Sequence, residues 1–296
     1  MLRPTMSTDL AQALPSGALP GAEPAPATAT AARERHLGPA RVEQERRLGA
    51  WSAALRIVFA VSIYTVIAPI LLVALLVCLP WRPARIRIGN VAGRISCGLA
   101  VWLTGSAYHL RGAEHLDPKR PAIYVANHTS ILDIPLGIWF APLGTVAVAK
   151  KEIVLYPVFG QYFWLAGSEC IDRKNPRRAH ASLRALAAFM VRHRLSTFVW
   201  PEGTRARDGR MRSFKRGAFH LALQTKLPIV PIAIAGAHKA WPPNAVRLTR
   251  TNVEITCLPP IDTSHWTAQT LAQHVQEIEQ QIAAALPPEQ RPLPAT

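Results

Sequence analysis

The stretch YVANHTSILDIP, residues 124–135, decides how the middle of this chain is read. Its first half closes a short apolar run, AIYVAN at 122–127, with the β-branched and aromatic composition of a strand. Its second half turns helical, with Asp133 in or near the first turn. The strand therefore delivers His128 into a loop at the sheet edge, and a loop-to-helix bend can bring the His128 and Asp133 side chains together. A carboxylate on one imidazole nitrogen fixes the tautomer and supports the imidazolium that forms on proton uptake. An imidazole, ordinarily titrating near about pH 6.5, is suited to deprotonating a hydroxyl. Spacing alone favours a blander reading, a buried histidine near an unrelated helix cap. Ser130 has no G-x-S-x-G elbow around it, so helix capping by Thr129 or Ser130 is the better reading than a serine nucleophile.

Working outward, short strand-like runs recur at 145–149, 168–171, 196–200, 229–234 and 252–258. Helical stretches lie between them, notably 176–194 and 215–225, and 266–286 reads as a last helix. This alternation predicts an α/β domain with a largely parallel central sheet flanked by helices. Such sheets bind ligands beyond their strand C-termini, and the polar segments fall there. WPEGTRARDGRMRSFKRGAF (200–219) follows one strand and holds Glu202, Gly203 and Arg205 in a tight loop. Glycine admits close backbone approach, and arginine binds phosphate bidentately. GSECIDRKNPRR (167–178) ends another strand in Asp172 and Arg173, and AKKEI (149–153) brings Lys150 and Lys151. Basic groups thus converge where His128 emerges, an arrangement suited to a small phosphorylated substrate.

The composition narrows the partners. With 34 Lys and Arg against 18 Asp and Glu, the chain carries a formal +16, which favours anionic partners. Nucleic acid fits poorly, because aromatics are 7% of the chain and no basic run is interleaved with stacking rings. No HExxH, P-loop or GxGxxG stands in a suitable context. The four cysteines, Cys78, Cys97, Cys170 and Cys257, are isolated, so neither disulfides nor a zinc site is expected and no metal is assigned.

Residues 1–40, rich in Pro, Ala, Ser and Thr near their start, are expected to be a disordered tail without a signal peptide. Residues 41–105 are expected to be membrane-associated. IVFAVSIYTVIAPILLVALLVCL, residues 57–79, has no charge and the length of a bilayer span. Arginines flank it on both sides, which equally suits a re-entrant insertion against an anionic surface. In the next segment Ile88, Val91, Ile95, Leu99 and Trp102 fall on one helical face, as in a docking helix. The catalytic domain is placed at 106–262, and a C-terminal helix and tail at 263–296.

Four blocks occur in order: NHTSILD (127–133), GSECIDR (167–173), WPEGTR (200–205) and VPIAI (230–234). Together they resemble the glycerophospholipid acyltransferase family, most closely its bacterial 1-acylglycerol-3-phosphate acyltransferases. The resemblance runs from about Tyr108 to Asp262. It implies that His128 is the general base and Asp133 its orienting partner. It assigns acceptor contacts to Arg173, Glu202, Gly203 and Arg205, with Lys151 assisting, and gives Pro231 to the acyl side. The implied reaction moves an acyl group from acyl-CoA or acyl-carrier protein to a lysophospholipid hydroxyl, with no cofactor. An anionic membrane surface at the cytoplasmic face would be its setting. Cys170, Trp200 and Ala206 depart from the usual pattern without removing a catalytic group.

Overall fold

The computed structural model describes residues 55–293 except 56–57, 60, 64, 158, 173 and 243–247. The expected tail at 1–40 therefore lies outside the described residues, and so does Arg173. Among the described residues seven strands form one sheet in the order β1-β7-β6-β2-β5-β3-β4. They are β1 Ala107–Arg111, β2 Ile123–Ala126, β3 Thr145–Lys150, β4 Glu169–Ile171, β5 Ser196–Val199, β6 Ile229–Ala235 and β7 Asn252–Cys257. Every pairing is parallel except that of β6 with β7. The predicted α/β class and largely parallel sheet are what the chain adopts.

The central strands are apolar because both of their faces are covered. IYVA in β2 and STFV in β5 are buried at every position. Alternation along β2 divides the core in two. Ile123 and Val125 join Met190, Phe219 and Ile278 on one face, while Tyr124 and Ala126 join Leu136, Phe198 and Ile232 on the other. Edge strand β1 escaped the sequence reading for the opposite reason. AYHLR is largely exposed, and its order comes from pairing with β7 rather than from a buried apolar run.

Seven labelled helices surround the sheet: α1 Arg82–Leu103, α2 Asp133–Phe140, α3 Phe159–Leu165, α4 Pro176–His193, α5 His220–Thr225, α6 Ala237–Ala240 and α7 Leu271–Ala285. The helix expected at 215–225 divides into a 3-10 turn, Arg216–Phe219, followed by α5. In α1 the packing surface uses small residues. A Cβ on Gly93 would lie 2.7 Å from Ile138, and one on Gly98 3.0 Å from Trp139. Val91 and Trp102, on the expected docking face, stay exposed. Residues 65–77 are helical and leave Val66, Ile70, Val73, Leu76 and Val77 exposed. Among the described residues no helix is long and apolar enough to cross a membrane.

Pro231 sits inside the sheet, buried in β6 opposite Val125. Proline lacks an N–H, and a central strand tolerates it only where a donor is dispensable. The β6–β7 ladder ends one residue away at Ile232 and Cys257, beyond which the Leu258 N–H donates to the Pro231 carbonyl at 2.8 Å. The site lies at the common C-terminal edge of the parallel strands, where Asn127 extends the β2–β6 seam by one side chain. Its Nδ2 donates to the Ile234 carbonyl (3.0 Å), and its Oδ1 accepts from the Ile234 N–H (2.8 Å). Asn127→Ala leaves both buried backbone groups unpaired and should cost about 2–4 kcal/mol in denaturant unfolding.

Candidate active site

The loop between β2 and α2 is a closed hydrogen-bonded turn built around one carboxyl oxygen. Asp133 Oδ2 accepts from the Thr129 N–H (2.6 Å) and the Ser130 N–H (2.7 Å), and stands 2.9 Å from His128 Nδ1. Asp133 is fully buried, and His128 is 8% exposed. The expected cap is not the one used: α2 has no side-chain cap at Leu132. The Ser130 hydroxyl instead accepts from the Leu132 N–H (3.0 Å) and donates to the Trp241 carbonyl (2.7 Å), tying the loop to the end of α6. A neutral imidazole whose Nδ1 is bonded to a carboxylate carries its proton there and offers Nε2 as the basic nitrogen.

The loop after β5 supplies the second half. Trp200 packs at a tilt beside the imidazole, with ring centroids 5.4 Å apart, and against Phe198 at 4.7 Å. Gly137 makes room for this indole, since a Cβ there would lie 2.9 Å from Trp200 Cζ2. Glu202 is 2% exposed. Its Oε1 accepts from the His128 N–H (2.6 Å) and its Oε2 from the Arg212 N–H (3.1 Å). Burial pushes this carboxyl up from its ordinary 4.5 to about 8. The bonds from the His128 and Arg212 amides and the Arg212 charge oppose that rise, while the charge of Asp133 adds to it. Gly203 is left-handed at φ 77°, and a Cβ there would lie 3.0 Å from Lys215 Nζ.

The remaining candidates spread along the same edge. Gly203, Arg205 and Lys215 are exposed beside the dyad loop. Lys151, opening the 3-10 turn after β3, is half-exposed and bonds Asp172 Oδ2 at 2.7 Å, holding that carboxyl below its ordinary range. Cys170, partly buried in β4, has its thiol pushed up chiefly by burial, which opposes a nucleophilic thiolate. The amides of Thr129, Ser130, Ala206 and Arg212 were invisible in the sequence, because a backbone donor has no residue signature. Trp200 was visible only as an unusual residue at its position.

Residues 107–235 match the family model described as Acyltransferase. The chain is 42% identical over 238 residues to the 1-acyl-sn-glycerol-3-phosphate acyltransferase of Limnanthes douglasii, covering 80% of this chain and 83% of that one. The chain belongs to the acyltransferase family. A second member of that name, from Salmonella typhimurium, is 36% identical over 171 residues, 56% of this chain and 68% of its own length. The crystal structure of a 1-acyl-sn-glycerophosphate acyltransferase from Thermotoga maritima shares the fold. Its TM-score is 0.64 at 23% identity, over 81% of this acyltransferase and 97% of that chain.

The high folded-state pKa of Glu202 has a direct consequence for stability. Between about pH 4.5 and about pH 8 the folded acyltransferase holds a proton that the unfolded chain has released. The stability Glu202 contributes is therefore complete below about pH 4.5 and lost as pH rises through about 8. Thermal unfolding scans across this range should show the wild-type midpoint falling relative to that of Glu202→Gln. Titration of groups that do not interact with Glu202 cancels in that difference.

Proposed function

We propose that this acyltransferase moves a fatty acyl group from an acyl thioester, acyl-CoA or acyl-carrier protein, to the free hydroxyl of 1-acylglycerol 3-phosphate, forming phosphatidic acid. Its relatives bear the name of that reaction. The observation that carries the mechanism is the fixed His128–Asp133 pair at the C-terminal edge of the sheet. His128 Nε2 takes the hydroxyl proton as the hydroxyl oxygen attacks the thioester carbonyl. The tetrahedral intermediate expels the thiolate, which takes the same proton from the imidazolium. Asp133 keeps Nδ1 protonated throughout and stabilises the imidazolium charge. Oxygen supplies the electron pair and sulfur leaves with it, so no cofactor takes part.

Arg205 and Lys151, together with Arg173 and the Gly203 turn, receive the acceptor's phosphate and glycerol in this reading. The exposed Arg205 and half-exposed Lys151 suit a phosphate dianion, and the exposed Gly203 turn admits close approach. Pro231, buried in β6, shapes the acyl side only through the sheet it belongs to. The exposed apolar helix at 65–77, followed by the arginines of α1, supports seating at the cytoplasmic membrane surface, where the lyso-lipid resides.

Thiol release from acyl-CoA by detergent-purified enzyme, with and without 1-acylglycerol 3-phosphate, tests the reading. Acceptor-dependent release is expected, falling by roughly 10²–10⁴-fold in His128→Ala. Asp133→Asn should fall comparably, because its amide can present a donor to Nδ1 and select the wrong tautomer. Undiminished release in His128→Ala would overturn the mechanism. Arg205→Ala should raise the acceptor KM and leave the KM for acyl-CoA unchanged.

A further inference from the structure

We propose that Glu202 is a positioning residue for His128 rather than a contact for the acceptor, an inference that rests on the acyl-transfer reading above. Two features of its surroundings argue for this. The carboxyl is 2% exposed, and each of its oxygens already accepts from a backbone amide, His128 N–H at 2.6 Å and Arg212 N–H at 3.1 Å. A substrate hydroxyl would have to enter a space closed to water to reach it. The exposed members of the same loop, Gly203 and Arg205, face solvent instead. One loop thus divides its labour: its buried acid faces the dyad, and its exposed turn faces the acceptor.

The second feature is how completely that loop grips the His128 backbone. Glu202 takes the amide hydrogen, and the Ala206 N–H donates to the His128 carbonyl at 3.0 Å. The loop is itself pinned, with Gly203 N–H donating to Trp200 O (3.2 Å) and Lys215 N–H donating to Pro201 O (3.0 Å). Asp133 then orients the ring through Nδ1. The imidazole has its direction set by the carboxyl of one aspartate and its location set by the carboxyl of one glutamate. Bonds to a buried acid are strong in a low-dielectric interior, and an unpaired amide there is costly. Losing the Glu202 bond frees the His128 backbone, and a misplacement of the reacting groups by about 1 Å is worth roughly a hundredfold in rate.

Glu202→Gln keeps the size, but its NH₂ cannot accept a hydrogen bond, so one of the two backbone amides loses its acceptor whichever way the group is turned. Glu202→Asp keeps the acid but is one methylene too short to span both. Steady-state kinetics on the folded full-length enzyme should show kcat lower by roughly ten- to a hundredfold in both variants. The acceptor KM should stay within about twofold of wild type, the mark of lost positioning rather than lost ground-state binding. Amide hydrogen exchange of the peptide spanning 124–133, without substrate, should be faster in both. Should Glu202→Gln not fold, Glu202→Asp carries the test. A raised acceptor KM with kcat retained would overturn the proposal and return Glu202 to the acceptor site. So would exchange at 124–133 unchanged from wild type. If wild-type enzyme transfers no acyl group to this acceptor, the acyl-transfer reading fails, while the exchange measurement still decides whether Glu202 holds His128.

Discussion

A carboxyl group with no solvent exposure constrains everything around Asp133. Burying an acid is costly unless donors surround it, and the chain supplies them by turning its backbone, so that the amides of Thr129 and Ser130 point at one oxygen. That turn forces His128 out of the strand line and sets its ring 2.9 Å from the same oxygen. The sheet then has to end at Asn127, whose side chain completes the seam with β6 in place of further strand. The parallel topology follows the same logic. With β2 between β5 and β6, the loops after all three strands reach one edge, and the β5 loop can close over His128.

The sequence was legible where buried, periodic elements carry their own signature. The strands at 122–127, 196–200 and 229–234, the helices near 176–194 and 266–286, and the exit of His128 from β2 all rest on apolar runs punctuated by polar turns. β1 was not legible, because its residues are largely exposed and its pairing partner lies far along the chain. The antiparallel β7 could not be told from a parallel strand, since alternation along NVEITC is indifferent to direction. The Ser130 hydroxyl meets the helix start only at the Leu132 N–H, because the Asp133 carboxyl holds the turn amides and the hydroxyl's own hydrogen goes to the Trp241 carbonyl.

Within the candidate site the legible part was residue types, and the illegible part was which way they face. Glu202, Gly203 and Arg205 stand within four positions and read as one ligand-facing cluster. Folding separates them into a buried acid and an exposed turn, a distinction made by the left-handed Gly203 that reverses the chain between them. Lys151 likewise reads as a free cation, yet its ammonium is bonded to Asp172. That pair is half-exposed on the lysine side, where an ion pair is worth little in water. A doubly charged phosphate could therefore draw Lys151 from Asp172 at small cost.

The two acids of the site show why burial alone does not define a role. Asp133 and Glu202 are both removed from solvent, and both accept from backbone amides of the loop bearing His128. Asp133 lies against the ring, with its Oδ2 2.9 Å from Nδ1. Glu202 lies against the main chain of the same residue, and its charge adds to that of Asp133 in a low-dielectric space. Burial opposes that accumulation of charge by pushing the Glu202 carboxyl up to about 8. One acid touches the ring, and the other touches the backbone that carries it.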